Sequence, residues 1–238
     1  MISIEFNNTD QGPDELKAQM DKIKEQSVPS FADYSPPFEE IISITESYMG
    51  YNNVIVIGNG GSITTFKGYY NALKGRFTNE KKAFFVDSAE PDKLKSISEE
   101  ADKKNSVVIP ISKSGTNTQM TESFLYFFNR GYKILGMTSK DSGALHEIFE
   151  KEHIDYLEHP PIGGRFSGMT PTAFLPAFIC GMDIKKIFEG AKAMYERCSP
   201  SVKADDNPAL KISAICYLLD NKGYDQIFMR IYSSKLEG

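Results

Sequence analysis

The sequence lacks the features that mark membrane proteins and nucleic-acid-binding proteins. It has no apolar stretch near the roughly 20 residues that span a bilayer, and its opening, MISIEFNNTDQGPDE, lacks the basic and apolar regions of a signal peptide. The net charge is −5, whereas binding to nucleic acid or to an anionic membrane favours clustered Lys and Arg. We therefore expect a cytoplasmic protein with neither a nucleic-acid nor a membrane partner.

Cysteine and histidine are also scarce, with three of each in 238 residues. The cysteines show no CxxC spacing and have no histidine nearby, which favours buried free thiols over a disulfide or a catalytic cysteine. The histidines show no zinc-ligand pattern, so surface or capping roles are favoured and no metal site is predicted. These residues are Cys180, Cys198, Cys216, His146, His153 and His159.

What the sequence does contain is a fivefold alternation of apolar strands and helical patterns. Near-continuous apolar strands separated by helices are typical of a parallel sheet with helices on both faces. The sequence therefore predicts an α/β fold, a five-stranded parallel sheet in a Rossmann-like sandwich. Pro110 lies in the third strand and is unfavourable there, because it cannot donate to the ladder. The predicted strands are 53–58, 82–87, 106–111, 133–139 and 154–158, and the helices between them are 62–75, 90–104, 118–131 and 142–152.

Helical segments flank the predicted sheet on both sides along the chain. We expect a helical leader at 1–50, an α/β domain at 51–169 and a helical extension at 170–223. The run YDQIFMRIYS then has the pattern of a new strand, so 224–238 is predicted to begin a second domain that is missing. A closing edge strand is the alternative.

Two predicted strands end in small and hydroxyl residues just before a helix. GNGGS ends the first strand and SKSGTNT follows the third. Ligands of open α/β sheets bind beyond the carboxyl ends of the strands, and helix N-termini favour anions. These turns therefore predict a site for a phosphate-sized anion, with a tight turn and plain helix capping as the alternatives.

Nucleotide-binding motifs fit these two turns poorly. The third glycine of GxGxxG is absent, and so is the P-loop pattern that ends in Gly-Lys-Ser/Thr. A third segment, GGRFSG at 163–168, follows the fifth strand and should reach the same end of the sheet. Its arginine can bind an oxyanion or a phosphate with paired N–H groups, whereas a surface arginine in a turn is the alternative.

Together the three segments resemble the glucose-6-phosphate isomerase (phosphoglucose isomerase) family. GNGGS (58–62), SKSGT (112–116) and GGRFS (163–167) occur in the family's order and approximate spacing. The resemblance runs from about residue 35 to the end of the sequence. GGRFS is the most specific of them, and the other two are shared more widely among sugar-isomerase (SIS) domains that bind phosphosugars. The resemblance implies an SIS-type fold and the amino-terminal portion of such an enzyme.

The resemblance also implies a role for each matching position. Arg165 would be catalytic, stabilising the enediolate that forms as a proton moves between C1 and C2 of the sugar. Asn117 stands where the family usually has a second threonine. The partner would be glucose 6-phosphate or fructose 6-phosphate, with no metal or redox cofactor required. The implied substrate-binding residues are Gly61, Ser62, Ser112, Lys113, Ser114, Thr116, Asn117 and Gly164.

One departure from the family concerns the catalytic base. The family uses a Glu base, with a His and a Lys near ring opening, from segments beyond the equivalent of Gly238, and neither Glu158 nor Glu237 matches the base. We therefore expect weak or no isomerase activity from the chain alone. A non-catalytic phosphosugar-binding or regulatory module, and a single-domain isomerase that completes its site between subunits, remain open. The apolar faces of 173–223 make a homodimer a further hypothesis.

Overall fold

The computed structural model describes most of the chain. Residues 1–12 and 25–30 of the predicted leader, and Glu237, lie outside the described residues. The described residues are 13–24, 31–76, 81–141, 143–203 and 206–236.

Contacts divide the chain into two units, which are described separately. The larger comprises residues 33–186 and 231–238, and the smaller comprises residues 1–32 and 187–230. The domain boundaries predicted from sequence stay predictions. Among the described residues, no helix is long and apolar enough to cross a bilayer.

A parallel sheet forms the centre of the larger unit. Its strand order is β2-β1-β3-β5-β6, with β4 also pairing with β3, and every pairing is parallel. The predicted five-stranded parallel sheet is confirmed, with its fourth strand divided in two. The strands are β1 (Asn53–Ile57), β2 (Lys82–Val86), β3 (Ser106–Ser112), β4 (Lys133–Ile134), β5 (Gly136–Thr138) and β6 (Tyr156–Glu158).

The division of the fourth strand falls beside the proline of the third. β3 pairs with β4 through residues 107–108 and with β5 through residues 111–112, and Leu135 lies between the two short strands. The stretch of β3 left between these pairings is 109–110, and it includes Pro110, which has no N–H to donate to a ladder. Pro110 is nevertheless buried inside β3, where it is the register partner of Ile57 in β1.

The described helices lie close to the ranges expected from sequence. Pro91 begins α4 at its first turn, where a proline costs no intrahelical hydrogen bond. The helices are α1 (Pro13–Lys24), α2 (Phe38–Thr45), α3 (Gly61–Leu73), α4 (Pro91–Glu100), α5 (Thr118–Phe128), α6 (Ala144–Lys151), α7 (Pro171–Ile179), α8 (Ile184–Cys198) and α9 (Pro208–Asp220).

Both faces of the sheet are covered by helices. Alternate residues of β1, Ile55 and Ile57, belong to an apolar cluster with side chains of α4, α5 and α6. Val54 and Val56 are equally buried and point to the opposite face, because side chains alternate along a strand. α7 contacts β1, and it also packs against α2 and α3. The carboxyl ends of the strands are left open between these two layers of helices.

The smaller unit has a compact apolar contact between α1 and α9. Met20, Leu210 and Ala214 are buried there, with Ile23 packed against them. The helix predicted within the leader therefore forms, over Pro13–Lys24.

The strand predicted at 224–233 is not formed among the described residues. This segment has no regular secondary structure, and Phe228 and Tyr232 are 82% and 88% exposed. A strand is stable only when another strand pairs with it, and none lies beside this segment in the part of the chain described. Residues 234–236 form a short 3-10 turn, which contacts α3. The expectation that 224–238 begins a further domain stays a prediction.

Candidate functional site

A cleft of about 500 Å³ opens at the carboxyl ends of β1 and β3. Hydroxyl and amide side chains dominate its lining, with one lysine and two apolar side chains, and none of the lining residues is Asp, Glu, His or Cys. Among the residues predicted for the site, Ser62, Ser112, Lys113, Ser114 and Asn117 line the cleft, whereas Gly61, Thr116, Gly164 and Arg165 do not. The full lining is Asn59, Ser62, Ile111, Ser112, Lys113, Ser114, Asn117, Met120 and Ser139.

The hydroxyl loop, residues 112–117, is closed by hydrogen bonds between near neighbours. The N–H of Gly115 donates to Ser112 Oγ at 3.1 Å, and Gly115 adopts a φ of +64° that favours glycine. The hydroxyls of Ser114 and Thr116 are 2.9 Å apart. Ser112 can still donate its own hydroxyl hydrogen to a ligand. Ser114 and Thr116 share one hydrogen bond in which either hydroxyl can donate, so one of the two keeps its hydrogen for a ligand.

Asn117 caps the helix that follows the hydroxyl loop. Its Oδ1 accepts a hydrogen bond from the N–H of Met120 at 3.0 Å, at the beginning of α5. The capping alternative is thus realised in the geometry, but it uses only the amide oxygen. Asn117 also lines the cleft, and its amide NH₂ group remains a donor for an anion.

The first turn of α3 approaches the cleft without a side-chain cap. Gly60 has a φ of +56° and stands at the N-cap position, where it makes no side-chain hydrogen bond. Ser62, in the same turn, lines the cleft. The helix N-terminus therefore adds a favourable dipole for an anion next to this serine, while the N–H groups of Ser62 and Ile63 already donate to the carbonyls of Asn59 and Gly60.

The GGRFSG turn lies directly on this first turn of α3. Residues Gly164–Met169 form a 3-10 helix. A Cβ on Gly61 would lie 1.9 Å from the carbonyl oxygen of Gly164, so no side chain fits between the two backbones. Gly61 and Gly164 therefore act through close backbone approach rather than by lining the cleft.

Arg165 follows Gly164 in this turn, so it is held at the same edge of the sheet as Ser62. Its side chain is exposed and makes no ion pair with any other residue that the structure describes. An arginine without an internal carboxylate partner keeps its N–H groups for an external anion.

Lys113 belongs to the hydroxyl loop, and His159 directly follows β6. Lys113 Nζ donates to the carbonyl of Pro161 at 3.4 Å, and His159 Nδ1 donates to the carbonyl of Pro160 at 2.8 Å. The sequence favoured a surface or capping role for His159, and the surface role is wrong, because its side chain is buried. Burial lowers the pKa of His159, and the nearby charge of Lys113 lowers it further. Among the described residues, no cluster of His, Cys, Asp and Glu could hold a metal ion.

Sequence reasoning missed three polar residues at this edge. Asn59 and Ser139 line the cleft, and each comes just after a strand, so the rule that ligands bind at carboxyl ends could have found them. Thr138 is fully buried as the register partner of Ser112, and its hydroxyl has no hydrogen-bond partner among the described residues.

Comparisons with known proteins find relatives in sequence and in fold, although no protein-family model matches the chain. The glucose-6-phosphate isomerase of Methanocaldococcus jannaschii is 33% identical over 206 residues, which cover 84% of this chain and 50% of that protein. The chain thus spans about half the length of the curated relatives it matches.

Two solved structures have the same fold. A hypothetical protein of Thermus thermophilus matches with a TM-score of 0.69 at 20% identity, over 87% of this chain and 49% of that one. A glucose-6-phosphate isomerase of Chlamydia trachomatis matches with a TM-score of 0.64 at 20% identity, over 84% and 41%. At this level of identity the two matches concern the fold alone.

Proposed function

The chain belongs to the glucose-6-phosphate isomerase family, and we propose that it carries the phosphate-binding side of an active site that interconverts glucose 6-phosphate and fructose 6-phosphate. Its share of the family's length fits the amino-terminal portion expected from sequence. The observation that carries the proposal is the meeting of three segments at one edge of the sheet. These segments are the hydroxyl loop, the first turn of α3 and the GGRFSG turn.

Phosphate binding follows from the donors around the cleft. Ser62, Ser112 and Ser114 offer hydroxyl groups, and Asn117 offers the amide NH₂ that its capping bond leaves free. The backbone of Lys113 adds a further donor, and the N-termini of α3 and α5 favour the negative charge. The volume of about 500 Å³ is within the ordinary range for a small-molecule site and is large enough for a hexose phosphate.

The reacting end of the sugar is assigned to the side of the cleft where the GGRFSG turn meets α3. Isomerisation moves a proton between C1 and C2 and leaves negative charge on an enediolate oxygen between the two steps. The guanidinium of Arg165 would stabilise this charge with paired N–H groups, and fixed donors aimed at developing charge are often the largest catalytic contribution.

The general base is assigned to a segment other than those that line the cleft. A base must come within about 3 Å of the proton that it takes, and none of the lining residues carries a carboxylate or an imidazole. We therefore expect the 238-residue chain to bind phosphosugar and to turn it over weakly or not at all.

Binding and proton transfer can be measured separately. Isothermal titration with fructose 6-phosphate measures binding, with Ser114→Ala as the site variant that should weaken it. A coupled dehydrogenase assay detects glucose 6-phosphate, and NMR in D₂O detects deuterium entering C1 of fructose 6-phosphate. Binding without turnover or exchange is the expected result. Turnover that Arg165→Ala abolishes would contradict the assignment of the base elsewhere, and absence of binding would contradict the phosphate site.

A non-catalytic phosphosugar-binding module is the second candidate, and the composition of the cleft lining favours it. It differs from the first in what Arg165 does. A module that only senses phosphosugar needs no stabilisation of charge at C1, so Arg165→Ala should leave its affinity for a sugar phosphate with a C1 carboxylate unchanged. A homodimer stays a hypothesis for either candidate.

A further inference from the structure

Within the site proposed above, we infer that Ser167 is a positioning residue for Arg165. Its buried hydroxyl locks the GGRFSG turn onto the first turn of α3 and so sets the distance between Arg165 and the hydroxyl loop. The inference rests on the proposed function, because it concerns how that site is assembled.

The Ser167 hydroxyl lies between two backbone carbonyls of the site. Ser167 is fully buried, and its Oγ is 2.7 Å from the carbonyl oxygen of Gly164 and 3.2 Å from that of Gly61. Gly164 directly precedes Arg165, and Gly61 directly precedes Ser62. The hydroxyl has one hydrogen, which the two carbonyls share: the contact with Gly164 is the shorter, and the 3.2 Å contact with Gly61 is the one that reaches α3.

Ser167 is itself held from its other side. Its carbonyl oxygen accepts hydrogen bonds from the hydroxyls of Thr170 at 2.8 Å and Thr172 at 3.2 Å. Both threonines are buried at the beginning of α7. Because α7 packs against β1 and α3, Ser167 is anchored to the core and not only to its own turn.

The opposite end of the turn has an independent attachment to α3. The Tyr69 hydroxyl donates to the carbonyl of Gly168 at 2.7 Å. Burial raises the pKa of Tyr69 to about 12, so this donor is retained at neutral pH. Loss of the Ser167 hydroxyl should therefore free the end of the turn that carries Arg165 while Gly168 stays attached. The effect of Ser167 on the position of Arg165 can therefore be measured while the rest of the turn stays folded.

The experiment compares two probes that use different parts of the site. Inorganic phosphate uses the hydroxyl loop and Ser62 but not Arg165, whereas 6-phosphogluconate carries a carboxylate at C1 that also needs Arg165. Isothermal titration of the full chain is done for Ser167→Ala, Arg165→Ala and the double variant. Ser106→Ala is the matched control, because Ser106 is also fully buried and donates to a backbone carbonyl, that of Asp102, at the amino end of β3.

Ser167→Ala is expected to weaken 6-phosphogluconate binding by about tenfold, since small misplacements of a binding group are costly. Inorganic phosphate affinity should change less than about twofold. The double variant should lose no more than Arg165→Ala alone, because both changes act through the same guanidinium. Ser106→Ala should leave the ratio of the two affinities unchanged even where it lowers Tm.

An equal loss of both probes in Ser167→Ala would overturn the inference, because it would show a general structural role. Unchanged 6-phosphogluconate affinity would overturn it too, while leaving the proposed function intact. A wild-type chain that binds neither probe would overturn both. Should Ser167→Ala fail to fold, Thr172→Val removes one bond to the Ser167 carbonyl, together with the contact between the Thr170 and Thr172 hydroxyls, and leaves the Ser167 hydroxyl in place. It should show the same selective loss, of about two- to threefold, and an equal loss of both probes would again contradict the inference.

Discussion

The two segments that meet at the cleft are built in opposite ways. The hydroxyl loop is closed by bonds between residues two or three positions apart, such as Ser112 with Gly115. The GGRFSG turn is held by bonds across 106 positions, from Ser167 to Gly61, and across 99 positions, from Tyr69 to Gly168. A local loop keeps its shape wherever its strand and helix form. The GGRFSG turn also has local bonds, such as Ser167 to Gly164, but its contact with α3 forms only in the completed fold. It is called the remote turn below. We therefore expect substitutions in the two segments to have different effects on stability and on phosphate affinity.

The largest effect is expected from Gly61→Ala, which attacks the remote turn. The new Cβ would meet the backbone of Gly164 at 1.9 Å, and backbone can move away only by displacing the turn. We expect a loss of about 3 kcal/mol in the free energy of unfolding, measured by urea denaturation. Gly163→Ala is the control, since its Cβ would meet nothing within 4 Å and should change stability by less than about 0.5 kcal/mol. Equal urea midpoints for the two variants would refute the close approach.

Ser112→Ala comes next and attacks the local loop. It leaves the buried N–H of Gly115 without its acceptor and should cost about 1–2 kcal/mol of stability. It also removes a donor from the cleft, so phosphate affinity should fall by about tenfold. Thr116→Val is the comparison, because Thr116 does not line the cleft and should weaken phosphate less. Calorimetric titration with phosphate ranks the two, and a larger effect at Thr116 would favour the role that the family resemblance implies for it.

Asn117→Asp separates the two uses of one side chain in the hydroxyl loop. Aspartate keeps an oxygen acceptor for the N–H of Met120, so the α5 cap and the thermal midpoint should be preserved. It replaces the amide NH₂ with a second oxygen and adds negative charge beside the cleft, so phosphate affinity should fall by at least about tenfold. Asn117→Ala should lose about 1 kcal/mol of stability as well. Full phosphate affinity in Asn117→Asp would mean that Asn117 only caps the helix.

The smallest effect is expected from Tyr69→Phe, at the far end of the remote turn. Removing this hydroxyl should cost about 1 kcal/mol at neutral pH. The cost should depend on pH, because the unfolded phenol ionises near its ordinary pKa of 10 while the folded one holds its proton to about 12. The stability that Tyr69 contributes is thus complete below pH 10 and lost as pH rises towards 12. Urea midpoints of wild type and variant should converge over this interval, and a constant difference would contradict the assignment.

Most of the fold could be predicted from the sequence because it follows from local periodicity. The apolar runs predict every strand of the sheet, and the helix predicted at 118–131 is observed over Thr118–Phe128. The predicted strand at 224–233 has a suitable local pattern, but it is not formed among the described residues. A strand pattern shows that a segment can form a strand, but the strand forms only where a neighbouring strand is present to pair with it.

The residues of the candidate site also fall into those that local sequence predicts and those that depend on packing. Ser62, Ser112, Lys113, Ser114 and Asn117 could be predicted because each follows a strand end within a few residues. The buried, unpaired hydroxyl of Thr138 and the anchoring of Ser167 by α7 could not, since they depend on which elements pack together.

The sequence by itself determined a parallel sheet, an anion-binding edge and an arginine near it, because hydrophobic spacing and turn chemistry act over a few residues. Only the tertiary structure decided that Gly164 would rest on Gly61, that Ser167 would lie between their carbonyls, and that His159 would be buried. Contacts between residues far apart in sequence depend on how the helices pack on the sheet, and no local pattern of residues encodes them.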